Sequence, residues 1–460
     1  MILSDTIIAL ATPQGTSGIA IIRMSGAKAF DITDIFFVGK KINAQKTHTS
    51  HFGKIMDGNR MIDEVLISIF RNPHSYNGED TVEIGCHGSP FIIECIINLA
   101  VKNGARIAHP GEFTKRAFMN GKLDLSQAEA VADIIASENE SQHNIAIQQM
   151  RGGYSEKIKE LRQELIDFAA LMELELDFSE EDVEFADRTK FLALIDTSLV
   201  VIHNLINSFR LGNVIKKGIP VAIVGKPNVG KSTLLNRLLN EEKAIVSEIA
   251  GTTRDFIEDA MQLNGITFRF IDTAGIRETM DMLEAKGIER SYQKIKEAEI
   301  VLYLVDITES VNDIVSNFQS MSFRPEQKVL ILLNKADELS SLSHALEIEK
   351  AVATLTNKTT LECSAKQGRN IDKLLQHLQE TTSSQYAAFD IIVSNARHME
   401  AFQQAYQSLQ LVRRGLEEKI SGDFISIDIR SALQSLSSIT GQISNEDILS
   451  AVFSRFCIGK

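Results

Sequence analysis

The chain of 460 residues has only four cysteines, Cys86, Cys95, Cys363 and Cys457, widely scattered and with no CxxC pair. Neither a disulfide framework nor a zinc site is indicated, and a reducing, cytoplasmic compartment fits best. Positive charge is also in deficit: 48 basic against 61 acidic side chains leave a net charge of -13. That balance favours solubility and argues against a general binder of phosphate backbones, so any nucleic-acid contact is expected to be local or shared with a partner. Long apolar runs are missing too. The longest, Phe91 to Val101, contains Glu94 and Asn98 and is too short to cross a bilayer, so no membrane span is expected. The start, Met1-Ile-Leu-Ser-Asp5, has neither the basic region nor the apolar core of a signal peptide.

Gaps in glycine and proline divide the chain. No proline follows Pro325, and neither residue occurs between Tyr154 and Leu211, where Ile158, Leu161, Leu165, Phe168 and Met172 recur on a helical period. Long packed helices are the simplest account. Before about Asn120, short β-branched runs such as Ile19-Ala-Ile-Ile22 and Glu64-Val-Leu-Ile-Ser-Ile69 alternate with turns, which reads as a compact α+β domain. Ser126-Gln-Ala-Glu129 matches a capping box that opens the helical part. Strand–helix alternation begins at Gly218-Ile-Pro220 and gives way to helix again after about Leu375. The length implies more than one core. The expected fold class is multidomain α+β and α/β: an α+β domain over 1–120, a helical domain over 121–216 and 381–460, and an inserted Ras-like P-loop domain over 217–380.

The insert carries nucleotide motifs in order. Gly225-Lys-Pro-Asn-Val-Gly-Lys-Ser232 follows the apolar strand Val221–Val224 and opens a helix at Thr233. Glycines let the backbone wrap the β-phosphate, Lys231 neutralises phosphate charge, and the Ser232 hydroxyl ligates magnesium. Asn228, Val229, Gly230, Lys231, Ser232 and Thr233 are therefore candidate GTP contacts. Asp272-Thr273-Ala274-Gly275 follows the strand ending at Ile271, as suits a carboxylate holding magnesium through water beside the γ-phosphate. Between them lies Gly251-Thr-Thr-Arg-Asp255, whose Thr253 can close onto the metal when the γ-phosphate is present. Asn334-Lys335-Ala336-Asp337 follows an apolar strand, and the Asp337 carboxylate can accept two N–H bonds from guanine but not from adenine. Ser364-Ala365-Lys366 completes the base site.

A Ras-like enzyme orients its water with a glutamine just after the DxxG glycine; here Ile276 stands there, and an alkyl group cannot polarise water. Asn228, the loop Ile245–Ala250 and the acidic segment Glu278–Glu284 offer a substitute: an asparagine with loop carbonyls can hold a monovalent cation that acts like an arginine finger. Loop geometry alone is the other account of Asn228.

Beyond these motifs, Gly111-Glu-Phe-Thr-Lys-Arg-Ala-Phe118, Asn120-Gly-Lys-Leu-Asp-Leu-Ser-Gln-Ala-Glu-Ala-Val-Ala-Asp133, Asp272-Thr-Ala-Gly-Ile-Arg-Glu278 and the terminal Phe456-Cys-Ile-Gly-Lys460 resemble the MnmE (TrmE) family of tRNA-modification GTPases over essentially the whole chain. The resemblance implies a potassium-activated GTPase whose G domains dimerise across the nucleotide face. It implies a homodimer through the N-terminal domain and a flavoprotein partner, MnmG (GidA), which carries the FAD that this chain does not. Together they would install an aminomethyl or carboxymethylaminomethyl group on the wobble uridine of certain tRNAs, from a tetrahydrofolate one-carbon donor. By motif position it puts Asn228, Ser247, Ile249 and Thr252 around potassium, Ser232 and Thr253 on magnesium, and Glu284 on the attacking water. Arg23, Glu83, Lys122 and Lys460 fall at the folate site, with Cys457 near it; a buried structural cysteine is the alternative there. Without the resemblance, Glu284 reads as a solvated helix residue and the four folate residues as unrelated surface charges. A ribosome-assembly switch with the same nucleotide motifs is the competing function.

Overall fold

The computed structural model describes residues 5–177, 188–241, 259–271, 295–319, 321–325, 327–338, 347–348, 350–351, 359–386, 391–443, 446–454, 456 and 459. By contacts the chain forms two compact units, Met1–Ala136 with Ala146–Asp196 and Gln404–Lys460, and Ser137–Ile145 with Thr197–Gln403.

The first unit begins with β1 (Thr6–Leu10), β2 (Ser17–Ser25), α1 (Ala29–Phe36), β3 (Phe37–Val38), β4 (Thr49–Asp57), β5 (Arg60–Phe70), β6 (Thr81–Gly88), α2 (Pro90–Lys102), β7 (Ala105–Ile107) and α3 (Glu112–Met119). Its seven-stranded sheet has the order β3-β4-β5-β6-β2-β1-β7. Among the described residues of this sheet, only β1–β7 is a parallel pair. Strand alternation decides which face is covered. In β5, Val65, Ile67 and Ile69 are buried while Glu64 and Leu66 are exposed. The buried set joins Ile22, Met24, Val82 and Ile84 under Phe30 and Phe36 of α1 and Ile93 and Ile96 of α2. Each such side chain contributes roughly 1.5–3 kcal/mol by leaving water. On the opposite face, Phe113 of α3 packs with Ile7, Ala9, Ala108 and Tyr76.

Helices α4 (Leu125–Ile135), α5 (Glu140–Met150), α6 (Gly153–Asp177) and α7 (Arg188–Lys217) follow. The capping box at α4 lies two residues before the expected one. Asp124 Oδ1 accepts from Gln127 N (2.9 Å) and Gln127 Oε1 accepts from Asp124 N (2.9 Å). Ser126 lies inside the first turn, buried, bonded to Asp124 Oδ1 (2.8 Å) and Ser155 Oγ (2.6 Å). An aspartate three residues before a glutamine meets the same hydrogen-bonding demand as the serine–glutamate spacing, and the helix starts where it does. By length and composition alone α7 could cross a bilayer, a feature that a search for unbroken apolar runs does not see. Lys190, Asp196 and Arg210 interrupt it, and Phe191, Ile195, Ile202, Leu205, Leu211 and Ile215 are buried, with the Phe191 ring stacked on Phe168. The buried residues form one stripe, the pattern of an amphipathic helix with one face packed.

The second unit holds β8 (Ile219–Val224), α8 (Lys231–Glu241), β9 (Asp259–Leu263), β10 (Ile266–Phe270), β11 (Ile300–Asp306), α9 (Val311–Gln319), β12 (Lys328–Asn334), β13 (Thr359–Glu362) and α10 (Ile371–Tyr386). Its six strands run β13-β12-β11-β8-β10-β9, parallel except for the β9–β10 hairpin. The hairpin turns at Asn264 and Gly265, both with positive φ, as the tightest two-residue turns require. Central strands are apolar on both faces. Val221, Ile223, Leu302, Leu304 and Leu332 meet Leu234, Leu238 and Leu374 on one side. Val224, Val301, Val305, Ile331 and Leu333 meet Ile314 and Phe318 on the other, which is why the strands read as unbroken apolar runs. The chain ends in α11 (Ala396–Glu417), α12 (Gly422–Thr440) and α13 (Glu446–Phe453). Within the first unit, α12 meets α6 through Arg162 Nε and Ser437 Oγ (2.8 Å), and Phe453 and Phe456 pack with Leu125 and Ala128.

Candidate functional site

The phosphate loop leaves β8, a central strand, and enters α8, so its N–H groups collect where a parallel sheet and a helix start present them. Val229 is buried in the core and pins the loop from beneath. Asn228 has φ 63°, a left-handed conformation that asparagine tolerates. Lys231 Nζ donates to the carbonyls of Gly225 (2.8 Å) and Lys226 (2.7 Å), which draws its ammonium over the loop. Lys231 and Ser232 are half-buried and Thr233 is exposed.

Asn334 binds the motifs to one another. It is 3 % exposed; its Nδ2 donates to Val229 O (2.7 Å) in the phosphate loop, and its Oδ1 accepts from Ala365 N (2.9 Å). Gly230, with φ 100°, must be glycine here, because a Cβ would strike the Asn334 amide nitrogen. Asp337 accepts from Ser364 Oγ (2.5 Å), and this bond holds its carboxyl below the usual carboxylate range. The Ser364 hydroxyl also accepts from Gln367 N (3.1 Å). Ser364 thus positions Asp337 through its side chain. Arg237 on α8 was not foreseen: its guanidinium donates to Ala365 O (3.3 Å) and Lys366 O (2.8 Å), bracing the loop after β13. Nothing in the sequence distance of more than a hundred residues signals that contact. Cys363 lies beneath, and burial pushes its thiol up to about 12.

Asn228–Thr233, Asn334, Lys335, Asp337 and Ser364–Lys366 therefore converge at one edge of the sheet, at the ends of β8, β12 and β13. Ser247, Ile249, Thr252, Thr253, Asp272, Thr273, Ala274, Gly275, Ile276 and Glu284 lie outside the described residues.

The first unit holds a second cluster. Arg23 on β2 stands in register with Glu83 on β6, and the pair is joined at Nε–Oε1 (2.9 Å) and at the terminal nitrogen (2.8 Å). The Arg23 guanidinium carbon lies 5.4 Å from the Tyr76 ring centre and 5.7 Å from that of Phe113, so two aromatic rings fix its plane. One of its terminal nitrogens, Nη1, is buried without a hydrogen-bond partner. Tyr76 is held in turn by Thr114 through its hydroxyl (2.9 Å). Lys122 is exposed and its stem lies against Gly78, so Lys122 and Arg23 border the same loop, 76–79. Among the described residues no hydrogen bond joins Lys122 to Arg23 or Glu83. Gly459, with φ 104°, is pressed so closely to Leu10 that a Cβ would strike the Leu10 carbonyl. Leu10 is the neighbour of Ala9, the register partner of Arg23, so Gly459 lies one residue along β1 from the Arg23 position. Cys457 and Lys460 are outside the described residues.

Comparison with known proteins matches both parts. The family model described as the MnmE helical domain covers residues 125–457, and that described as the GTP-binding protein TrmE N-terminus covers residues 6–122. The tRNA modification GTPase MnmE of Flavobacterium johnsoniae is 52% identical over 468 residues, with 100% of both chains covered. Its counterpart from Christiangramia forsetii is 50% identical over 474 residues, again with 100% of both covered. That from Cytophaga hutchinsonii is 50% identical over 462 residues, with 99% of this chain and 98% of the other covered. Among solved structures, an Era variant from Aquifex aeolicus bound to GDP and AlF4- is 28% identical over 42% of this chain and 67% of its own, at a TM-score of 0.28, too low to carry an argument. With two family models that together cover nearly its whole length and relatives half identical from end to end, the chain belongs to the MnmE family of GTPases that act in tRNA modification.

Proposed function

We propose that this GTPase hydrolyses GTP with the help of a potassium ion and, with a flavoprotein of the MnmG (GidA) kind, uses a tetrahydrofolate one-carbon unit to build the aminomethyl or carboxymethylaminomethyl group on the wobble uridine of certain tRNAs. The observation that carries the folate part is Arg23: a guanidinium clamped by Glu83, Tyr76 and Phe113, with one buried terminal nitrogen lacking a partner. Such a donor suits the carbonyl or carboxylate oxygens of a folate, and Glu83 suits the N–H edge of its pterin ring. Lys122 and Lys460 add positive charge for the glutamyl tail, and Cys457 lies in the same terminal segment.

For the nucleotide, Ser232 and Thr253 would hold magnesium, and Asn228, Ser247, Ile249 and Thr252 would surround potassium with hydroxyl, amide and backbone oxygens, the donors that hard cations take. A bound potassium would supply charge beside the phosphates in the manner of an arginine finger. Glu284 would orient the attacking water that Ile276 cannot. The N-terminal domain, 1–120, would form a homodimer, and the G domain, 217–380, would interrupt a helical domain made of 121–216 and 381–460. The chain would act in the cytoplasm and carry no flavin of its own.

Two measurements test this. Calorimetric titration of the full-length chain with 5-formyltetrahydrofolate is expected to give saturable binding that Arg23→Met weakens at least about tenfold, the loss of a charge-assisted bond. No binding at high ligand concentration removes the folate part. GTP turnover is expected to rise when potassium replaces sodium at equal ionic strength; equal rates in both salts remove the potassium part.

A further inference from the structure

Two lysines from different nucleotide motifs are gripped by one short turn. β11 ends at Asp306, which lies in register with Asn334 at the end of β12. Ile307 N donates to Asn334 O (3.0 Å), so the two strand ends stay side by side. Directly after Asn334 the chain takes a left-handed conformation at Lys335, φ 65°. A lysine adopts that conformation only where its surroundings hold it. Its Nζ lies 2.5 Å from Asp306 Oδ2.

Asp306 is itself fixed. Its Oδ1 accepts from Thr308 N (3.0 Å) and from Thr308 Oγ1 (2.7 Å). Burial raises the tendency of this carboxyl to stay protonated, but the bonds from Lys335 and Thr308 outweigh it and leave the group below its usual range. The same bond, with a smaller opposing effect of burial, raises Lys335 above the ordinary lysine range. Both are charged at neutral pH. The turn continues to Glu309, whose N donates to Asp306 O (3.0 Å) and whose carboxylate takes Lys226 Nζ of the phosphate loop (2.7 Å).

We propose that Asp306 is a positioning residue for guanine recognition that acts through Lys335: by anchoring the ammonium at the end of β11, it fixes the lysine stem and the left-handed turn that presents Asp337. The proposal rests on the assignment of Asn334–Asp337 to the base. Asp306 touches no part of the nucleotide in this account. Without its anchor, the four rotatable bonds of Lys335 are free in the empty protein and must be ordered again at each binding event, so the complex loosens.

The test is stopped-flow release of N-methylanthraniloyl-GDP from the full-length chain. Asp306→Asn keeps the shape of the side chain but removes its charge, and release is expected to quicken about tenfold or more. Lys335→Met keeps most of the stem and cuts the same link from the other end, so it is expected to match. The double variant is expected to release no faster than either single one, because both break one bond. A merely structural role for Asp306 gives effects that multiply, and that result overturns the proposal. So does wild-type release by Asp306→Asn, or by Lys335→Met if the first variant does not fold. Asp337→Asn, measured alongside with the GDP and xanthosine diphosphate forms of the probe, keeps the two readings apart. If it loses its preference for guanine while Asp306→Asn releases at the wild-type rate, the base site stands and only the positioning role falls. If Asp337→Asn keeps its guanine preference, the base assignment itself is overturned and the positioning role with it.

Discussion

Replacing Asn334 by alanine removes one buried carboxamide and orphans two backbone groups at once. The Val229 carbonyl loses its bond from Nδ2 at 2.7 Å, and the Ala365 N–H loses its bond to Oδ1 at 2.9 Å. The side chain is 3 % exposed, so water has little access to replace it. An unsatisfied buried polar group costs about 1–3 kcal/mol, and two give about 2–6 kcal/mol, less whatever small relaxation admits water. Because one bond holds the phosphate loop and the other the loop after β13, the loss is expected in both places. Hydrogen–deuterium exchange read by mass spectrometry on peptides covering 225–232 and 361–368 measures it directly. At about 1.4 kcal/mol per tenfold, the loss of about 1–3 kcal/mol at each loop is expected to accelerate exchange in its own peptide by roughly fivefold or more. Acceleration of only one peptide, or of neither, refutes the idea that this residue couples the two loops.

Other expectations are equally open to measurement. Glu112 is caught between opposing effects: burial pushes its carboxyl up, while bonds from Arg106, the His109 backbone and Arg116 hold it down at about 2. Its folded pKa is depressed, so its contribution to stability is present above the ordinary value of 4.5 and is lost as pH falls from there towards 2. Glu112→Gln should melt below wild type at pH 7, and the gap should close between pH 4.5 and 2; a gap that does not narrow refutes the pairing. Gly459→Ala drives a Cβ into the Leu10 carbonyl, so folate affinity should fall at least about tenfold while GTP turnover stays unchanged. Wild-type folate affinity would separate the chain end from that site. Glu284→Ala should slow GTP hydrolysis by roughly a hundredfold or more, the usual worth of a group that handles the water, and leave nucleotide affinity intact. Turnover at the wild-type rate would strike Glu284 from the mechanism.

The parts legible in the sequence are those whose signal is local. Gly225–Ser232 and Asn334–Asp337 announce themselves because an apolar strand immediately precedes each and a turn or helix follows, and both lie where that pattern places them. The helix in the glycine-free stretch after Tyr154 is local in the same sense. At α4 the pattern was met twice within three residues, and only the geometry shows that Asp124, with two reciprocal bonds, wins over Ser126. Contacts that tertiary packing alone brings together leave no such trace. Arg116 is 1 % exposed and lies among Asp5, Glu79 and Glu112, yet in the sequence it is one basic residue in a helix. Arg237 on the carbonyls of Ala365 and Lys366, and Tyr76 and Phe113 around Arg23, belong to the same class, because tertiary packing alone creates them.

The central claim is that GTP turnover by this chain serves tRNA modification. The most direct measurement is nucleoside analysis of bulk tRNA from a strain lacking the gene, complemented with the wild-type chain or with Lys231→Ala. The account predicts that the modified wobble uridine disappears in the deletion strain, returns with the wild-type chain and does not return with Lys231→Ala. An unchanged wobble nucleoside in the deletion strain, or full restoration by Lys231→Ala, would contradict it.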